Sequence, residues 1–370
     1  MSRASEGGAS ERVTPPQPAQ RTPCIVLGGT GYVAGELLRL IAAHPQLDIA
    51  AVLSGSQPGA AVAAAFPHLA NAYPHLQFAG NEDIEALVRR TPRFALFSAA
   101  PHGVSAALVD RLLGIAKTAG TEPHCVDISA DFRYSSAAAY EAVYGHAHGA
   151  PARIEEFTCA LPEHLARSPT RHVAHPGCFA TATLLASVPL LAAGVAEPRL
   201  FVAGITGSTG SGRKLSEGTH HPLRHGDLYS YNALSHRHVP EITACAAAAT
   251  GVAAEFNFVP HSGPFARGIH VTVQASLRRP LAAAEALAIF QAYYEHCPFV
   301  RVRDTAPRIK DVTASNYAHL GVSTNGRTIA VMAAIDNLAK GAAGGAVQWM
   351  NRLLGLAETA GLTAPAPGWT

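Results

Sequence analysis

A short apolar run at residues 24–27 leads straight into Gly28-Gly-Thr-Gly31, and a helical pattern follows over residues 32–43. Strand, tight glycine turn and helix open a βαβ unit, and no other segment limits the possible folds as strongly. Glycines at 28, 31 and 35 let backbone N–H groups approach a phosphate, to which the positive end of the following helix adds its attraction. The spacing departs from G-x-G-x-x-G, and such a turn also serves plain tight packing, so its context has to decide. Further apolar runs at 49–53, 94–97, 124–128 and 172–174 alternate with helical patterns such as 104–119. That alternation predicts a parallel sheet covered by helices on both faces. The second run ends Val52-Leu53-Ser54-Gly55-Ser56, with no acid where a ribose 2′-hydroxyl would be held. Nothing there repels a 2′-phosphate, so NADP is expected rather than NAD.

The pattern changes after Pro176. A helix is expected from about Cys178, followed by β-prone segments at 199–205, 256–260 and 269–277 that begin a second, sheet-rich domain. Residues 317–322 and 328–335 read as two strands joined by a turn at Thr324-Asn-Gly326, because Asn-Gly supplies the positive φ of tight hairpins. A last helical pattern at 338–354 opens with Gly341 to Gly345, where packing must be close, and returns to the first domain. Residues 1–22, rich in Ser, Pro, Ala and Gln, are expected to form a disordered tail.

Composition removes several function classes. With 370 residues, 48% of them hydrophobic, the chain can bury a large core, while 15% charged residues and a net charge of +2 offer no nucleic-acid surface. The six cysteines are scattered without a C-x-x-C pair, which argues against a zinc site or a disulfide framework. No metal is expected, and a reducing cytoplasm is the simplest setting. No apolar run reaches the roughly 18 residues that a membrane helix needs.

Chemistry concentrates in four segments. His175-Pro-Gly-Cys178-Phe sets a cysteine just after a glycine turn and at the start of an apolar helix, whose dipole should favour the thiolate. Cys24, Cys125, Cys159, Cys245 and Cys297 lie in apolar surroundings and read as packing residues. His236-Arg-His-Val-Pro-Glu241 packs two imidazoles, a guanidinium and a carboxylate into six residues, enough for an acid/base and an anion clamp. Gly207-Ser-Thr-Gly-Ser-Gly-Arg213-Lys214 suits a phosphate or carboxylate better than it suits a plain linker. Asp127-Ile-Ser-Ala-Asp-Phe-Arg133 sits where a strand ends, and Arg133 is a candidate for holding a substrate carboxylate.

Taken in order, these motifs resemble the N-acetyl-γ-glutamyl-phosphate reductase family of the aspartate-semialdehyde dehydrogenase superfamily. The resemblance runs from residue 23 onward through Gly28-Gly-Thr-Gly-Tyr32, Pro101-His-Gly103, the segment ending at Arg133, Leu161-Pro-Glu163, Pro176-Gly-Cys178, His236 to Glu241 and Ile335-Asp-Asn-Leu-Ala-Lys-Gly-Ala-Ala343. It implies an α/β fold: a Rossmann-type NADP-binding domain over 23–176 and 338–360, with a mixed α/β catalytic and oligomerisation domain over 177–337. By symmetry, a homodimer or homotetramer is expected. Cys178 would be the nucleophile and His236 the acid/base, with His238 as fallback and Glu241 assisting. NADP(H) would meet Gly28, Thr30, Gly31, Tyr32, Val33, Ser54 and Pro101, with Asn337 near the nicotinamide. A small-molecule acyl phosphate would meet Arg133, Ser208, Arg213, Lys214 and His238. Relatives often read Gly-Tyr-Thr-Gly-Ala-Glu where this chain has Gly31-Tyr-Val-Ala-Gly35-Glu36, so the phosphate contacts are its own. Two rival readings remain. One is a reductase of carrier-linked glutamyl or aminoadipyl phosphate, which needs a basic patch built from Arg213, Lys214, Arg224 and Arg237. The other is a nucleotide sensor without catalysis.

Overall fold

The computed structural model describes residues 21–369. The expected tail thus falls outside the described residues except at its end, where Thr22 belongs to a strand instead: it pairs with Leu47, and its N–H reaches Gln46 O at 2.8 Å. Six strands build the first sheet: β1 (Thr22–Leu27), β2 (Leu47–Val52), β3 (Arg93–Ser98), β4 (Glu122–Asp127), β5 (Phe157–Cys159) and β6 (His172–Ala174). All pairings are parallel, in the order β2-β1-β3-β4-β6-β5. Helices cover both faces, as the run-and-helix alternation predicts. Tyr32–Ala42 and Gly344–Leu353 pack on one side, and Asn81–Arg90 with Ser105–Ala119 on the other. This double cover explains why β1 and β3 read as continuous apolar runs.

The second sheet is mixed. Its strands are β7 (Ala196–Thr206), β8 (Tyr229–Ser230), β9 (Glu255–Ser262), β10 (Ile269–Leu277), β11 (Val300–Arg303), β12 (Ala318–Thr324) and β13 (Thr328–Ile335), in the order β11-β12-β13-β10-β7-β9-β8. β12 and β13 form the expected hairpin, with Gly326 at φ +91°. One face packs against helices Cys178–Ala192, Val239–Thr250 and Ala283–Tyr293. Along β7, Leu200 and Val202 turn into that core while Phe201 turns out and is 55% exposed. The other face of this sheet is therefore open in a single copy.

Helix Cys178–Ala192 is buried on nearly all sides, which its run of apolar residues permits. Pro189 inside it has no N–H for the carbonyl of Leu185. Tyr294 fills the gap by donating its hydroxyl to Leu185 O at 2.9 Å, and its oxygen lies 2.9 Å from His164 Nε2. The C-terminal pattern, expected as one helix, begins as a π turn at Ala339–Ala343 before becoming α-helical over Gly344–Leu353. Lys340 in that turn is fully buried, with Nζ 2.5 Å from Glu163 Oε1 and 2.7 Å from Gln348 Oε1. The close packing expected at Gly341 to Gly345 is present: a Cβ on Gly341 would stand 2.8 Å from Cys178 Cβ, and one on Gly345 would strike the His175 ring. Arg267 then ties the two sheets together. It binds Asp336 at 2.9 Å through two nitrogens and reaches Glu36 on helix Tyr32–Ala42 at 2.9 and 3.1 Å. Among the described residues no helix is long and apolar enough to cross a membrane.

Several buried imidazoles are held neutral by this packing. Burial, then neighbouring cations, pushes His172 and His175 down to about 3, and burial pushes His164 down to about 4. An unfolded histidine keeps a value near 6.5. The unfolded chain therefore takes up protons first, so this stability is complete above pH 6.5 and is lost as the pH falls through about 4 for His164 and about 3 for His172 and His175. Each ring costs about 1.4 kcal/mol per pH unit in that window. A melting-temperature series should decline below pH 6.5, and His172→Asn should make the slope shallower; an unchanged slope would contradict the assignment.

Candidate active site

Sheet order reverses between β1 and β3, and at such a switch the carboxyl ends of the strands leave a crevice for ligands. Gly28 follows β1 at φ +77°, and a Cβ there would stand 2.5 Å from Ala99 O and 2.6 Å from Ala100 Cα. Only glycine meets both conditions. Gly31 is the N-cap of helix Tyr32–Ala42 and brings no side-chain acceptor, so the first-turn N–H groups remain available to an anion. Ser54, just past β2, accepts the N–H of Gln57 at 3.1 Å and lies 3.4 Å from Ser56 Oγ. Pro101 follows β3, where its carbonyl accepts the N–H groups of Val104 and Ser105. This backbone cradle fits the pyrophosphate of a dinucleotide. Thr30, Tyr32 and Val33 stand on the same turn.

The cysteine loop hangs between the two sheets. β6 ends at Ala174, and the His175 N–H reaches Asp127 O at 2.8 Å. Gly177 is the N-cap of the next helix, and a Cβ on it would lie 2.6 Å from His238 Nε2 and 2.8 Å from an Arg133 nitrogen. Its N–H donates to Glu241 Oε1 at 2.7 Å, while Glu241 Oε2 takes Arg133 at 3.2 Å. Arg133 also donates to His175 O at 3.0 Å and to Ile128 O at 2.8 Å. A carboxylate from one unit and a guanidinium from the other thus grip the three residues before Cys178. The resulting ion pair is buried, with side-chain exposures of 5% and 0%.

Cys178 itself is only partly covered and lines a cavity of about 620 Å³ with Thr206, Tyr231, His236, Arg237 and His238. The expectation of a thiol lowered by the helix dipole needs correction. Burial raises the Cys178 pKa above its ordinary value, although Arg133, the Phe179 N–H and Arg237 pull it down. Burial, then Arg237, holds His236 down to about 4, and burial, then His236 and Arg133, holds His238 well below its ordinary value. Both are neutral at pH 7. His236 Nδ1 accepts the His238 N–H at 3.2 Å, so the proton of the neutral ring sits on Nε2. Phe179, Tyr231 and Phe258 flank that ring with centroids 5.3 to 5.8 Å away.

The remaining expected residues divide. Cys178, His236 and His238 meet in the cavity. Arg133 and Glu241 lie behind it, with their polar atoms committed to the loop and to each other. Asn337 accepts the Gly268 N–H at 2.8 Å and donates to Thr209 at 3.0 Å, joining two loops beside the site. Ser208 donates its N–H to Phe265 O, and its neighbours Gly210 and Ser211 line the cavity instead. Arg213 reaches the other way: it donates to Thr30 O at 3.2 Å and lies 5.4 Å over the Phe66 ring, at the dinucleotide turn. Lys214 is exposed. Arg237 at the cavity mouth was visible in the His-Arg-His triplet, whereas Tyr231 carries no spacing signal toward Cys178 and arrives through β8 pairing on β9.

Comparison with known proteins agrees with this architecture. Residues 24–157 match the family described as semialdehyde dehydrogenase, NAD binding domain, and residues 178–337 match semialdehyde dehydrogenase, dimerisation domain. The N-acetyl-gamma-glutamyl-phosphate reductase of Pseudomonas putida (strain W619) is 38% identical over 91% of this chain and 97% of its own length. That of Pseudomonas aeruginosa (strain UCBPP-PA14) is 38% identical over 92% and 98%. Aspartate semialdehyde dehydrogenase II of Vibrio cholerae shares the fold, with a TM-score of 0.66 and 16% identity over 91% of this chain and 99% of that one. Two family matches over both sheets and full-length relatives of one kind leave a single assignment: the chain belongs to the N-acetyl-gamma-glutamyl-phosphate reductases of the semialdehyde dehydrogenase family.

Proposed function

We propose that this chain reduces N-acetyl-γ-glutamyl phosphate to N-acetylglutamate 5-semialdehyde and phosphate, in arginine biosynthesis, through a thioester on Cys178. The observation that carries this reading is a cysteine at a helix start sharing one cavity with two neutral imidazoles, next to a dinucleotide crevice. The Cys178 Sγ–C bond forms as the acyl C–O bond to phosphate breaks, and the thiol proton passes to the departing phosphate by way of His238, whose Nδ1 has no other partner among the described residues. A proton on Nε2 suits His236 to donate to the oxygen where negative charge develops, with His238 as its alternative. When bound, NADPH supplies the hydride that reduces the thioester. Collapse of the hemithioacetal then breaks the S–C bond, releases the aldehyde and returns a thiolate that takes its proton from solvent. Arg133 and Glu241 act as positioning residues in this scheme.

Support for NADP over NAD comes from the missing acid at the end of β2 and the hydroxyls of Ser54 and Ser56. Arg213, at Thr30 O, suits a cofactor phosphate better than the leaving phosphate, which is left to Arg237. The open face of the second sheet around Phe201, within the stretch matching the dimerisation family, favours a homodimer through that face or a homotetramer built on it. Free thiols throughout the described residues suit the cytoplasm. The carrier-linked reading loses support because Arg224 is buried on Ser262 and Gly263, so the basic patch shrinks.

The reaction run backward with phosphate and NADP should consume N-acetylglutamate semialdehyde and leave aspartate semialdehyde untouched; the reverse preference overturns the assignment. Cys178→Ala should abolish turnover and keep NADPH binding, and full activity in that variant contradicts the thioester. Glu241→Gln strands the buried Arg133 cation and should lower unfolding stability by about 3–5 kcal/mol. Its kcat should fall with NADPH affinity intact, and wild-type stability would dismiss the clamp.

A further inference from the structure

A second cavity, of about 580 Å³, opens on the edge of the first sheet opposite the dinucleotide crevice, at the amino ends of β3, β4 and β6. Four arginines line it: Arg93 from the start of β3, Arg167 and Arg171 from the loop entering β6, and Arg352 from helix Gly344–Leu353. Their charges are poorly matched. Arg352 lies 3.4 Å from Glu358 and Arg171 only 4.0 Å from Glu122, while among the described residues Arg93 and Arg167 have no carboxylate within 4 Å. Two of the guanidiniums are braced by the backbone. Arg352 donates to Pro162 O, to Leu165 O at 3.0 Å and to Ala166 O at 3.4 Å, and Arg171 donates to Pro123 O at 3.1 Å. His124, in β4, lines the same cavity with a buried Nδ1 that has no partner among the described residues. Ser168 and Thr170 add hydroxyls, and Leu353 and Leu354 form an apolar wall.

Like charges gathered around a cavity repel one another unless an anion joins them. We infer that this cavity binds a small polyanion carrying adjacent phosphoryl groups, at a place apart from the reduction chemistry. Guanidinium forks match phosphate oxygens bidentately, and a tetrahedral phosphoryl group accepts from several sides at once, whereas a planar carboxylate satisfies one fork. Among the described residues Arg93 and Arg167 offer uncommitted forks, and the braced cations of Arg171 and Arg352 add charge beside them, an arrangement that favours linked phosphates. The ligand would bridge two segments that reach Cys178 from behind. The loop carrying Arg167 and Arg171 runs through β6 into residues 175–178, and the helix carrying Arg352 begins at the glycines packed on His175 and Cys178.

Calorimetric titration of the full chain with inorganic pyrophosphate tests this, with saturating NADPH present to occupy the dinucleotide crevice. One equivalent should bind per chain, more tightly than inorganic phosphate or citrate and more weakly as salt rises. Arg93→Glu and Arg167→Glu, both exposed and outside the reduction machinery, should each weaken it about tenfold or more, with NADPH affinity and basal turnover unchanged. Absence of binding at millimolar pyrophosphate, or binding that survives both substitutions, overturns the site. Citrate binding as tightly as pyrophosphate overturns the phosphoryl assignment.

Discussion

The carboxylate of Glu241 is the joint on which the site depends. One oxygen holds the Gly177 N–H and the other holds Arg133, whose remaining donors fasten His175 O and Ile128 O. Two units that fold around separate cores are thereby fixed to the same three-residue loop, and the first residue of helix Cys178–Ala192 inherits its position from that loop. A buried ion pair of this kind contributes little net stability against an apolar substitute, but removing one partner leaves an uncompensated charge. Geometry is what the pair secures. Arg267, between Glu36 and Asp336, plays the corresponding part on the far side of the π turn, so the second unit is tied to the first on both flanks of the cysteine.

Electrostatics around Cys178 follows from the same enclosure. Burial that protects the loop also raises the thiol and lowers both neighbouring imidazoles, leaving a neutral pair rather than a preformed ion pair. Charge is then created only as the thiol proton leaves, and the Phe179 N–H, Arg133 and Arg237 are the groups that favour the thiolate at that moment. On the proposed thioester route, such a cysteine stays protonated until the acyl phosphate is bound.

Local signals carried much of the fold. The Gly28 turn, the Asn-Gly hairpin and the packing glycines at 341 and 345 each depend on backbone sterics that a few residues determine. β5 and β8 were not legible, since three and two residues are too short to display a period and gain their identity from β6 and β9. The π turn was hidden for another reason: Lys340 within it meets Glu163, a partner 177 residues away. Within the site, Cys178 and the His236 segment could be named from residue type and context. Arg133 and Glu241 were recognised as chemically important, yet their inward roles depend on a contact across 108 residues that no local pattern records. Arg213 shows the same limit, because a cation beside Gly and Ser announces an anion but not which one.

A thioester route through Cys178 requires a covalent acyl–enzyme. Intact and peptide mass spectrometry of the enzyme mixed with the acyl phosphate, with NADPH withheld, tests it most directly. One N-acetylglutamyl group per chain is expected, on the peptide containing Cys178, removed by hydroxylamine or by adding NADPH. An unmodified Cys178 in enzyme that turns over once NADPH is supplied, or a stable adduct on another residue that NADPH discharges, would contradict it.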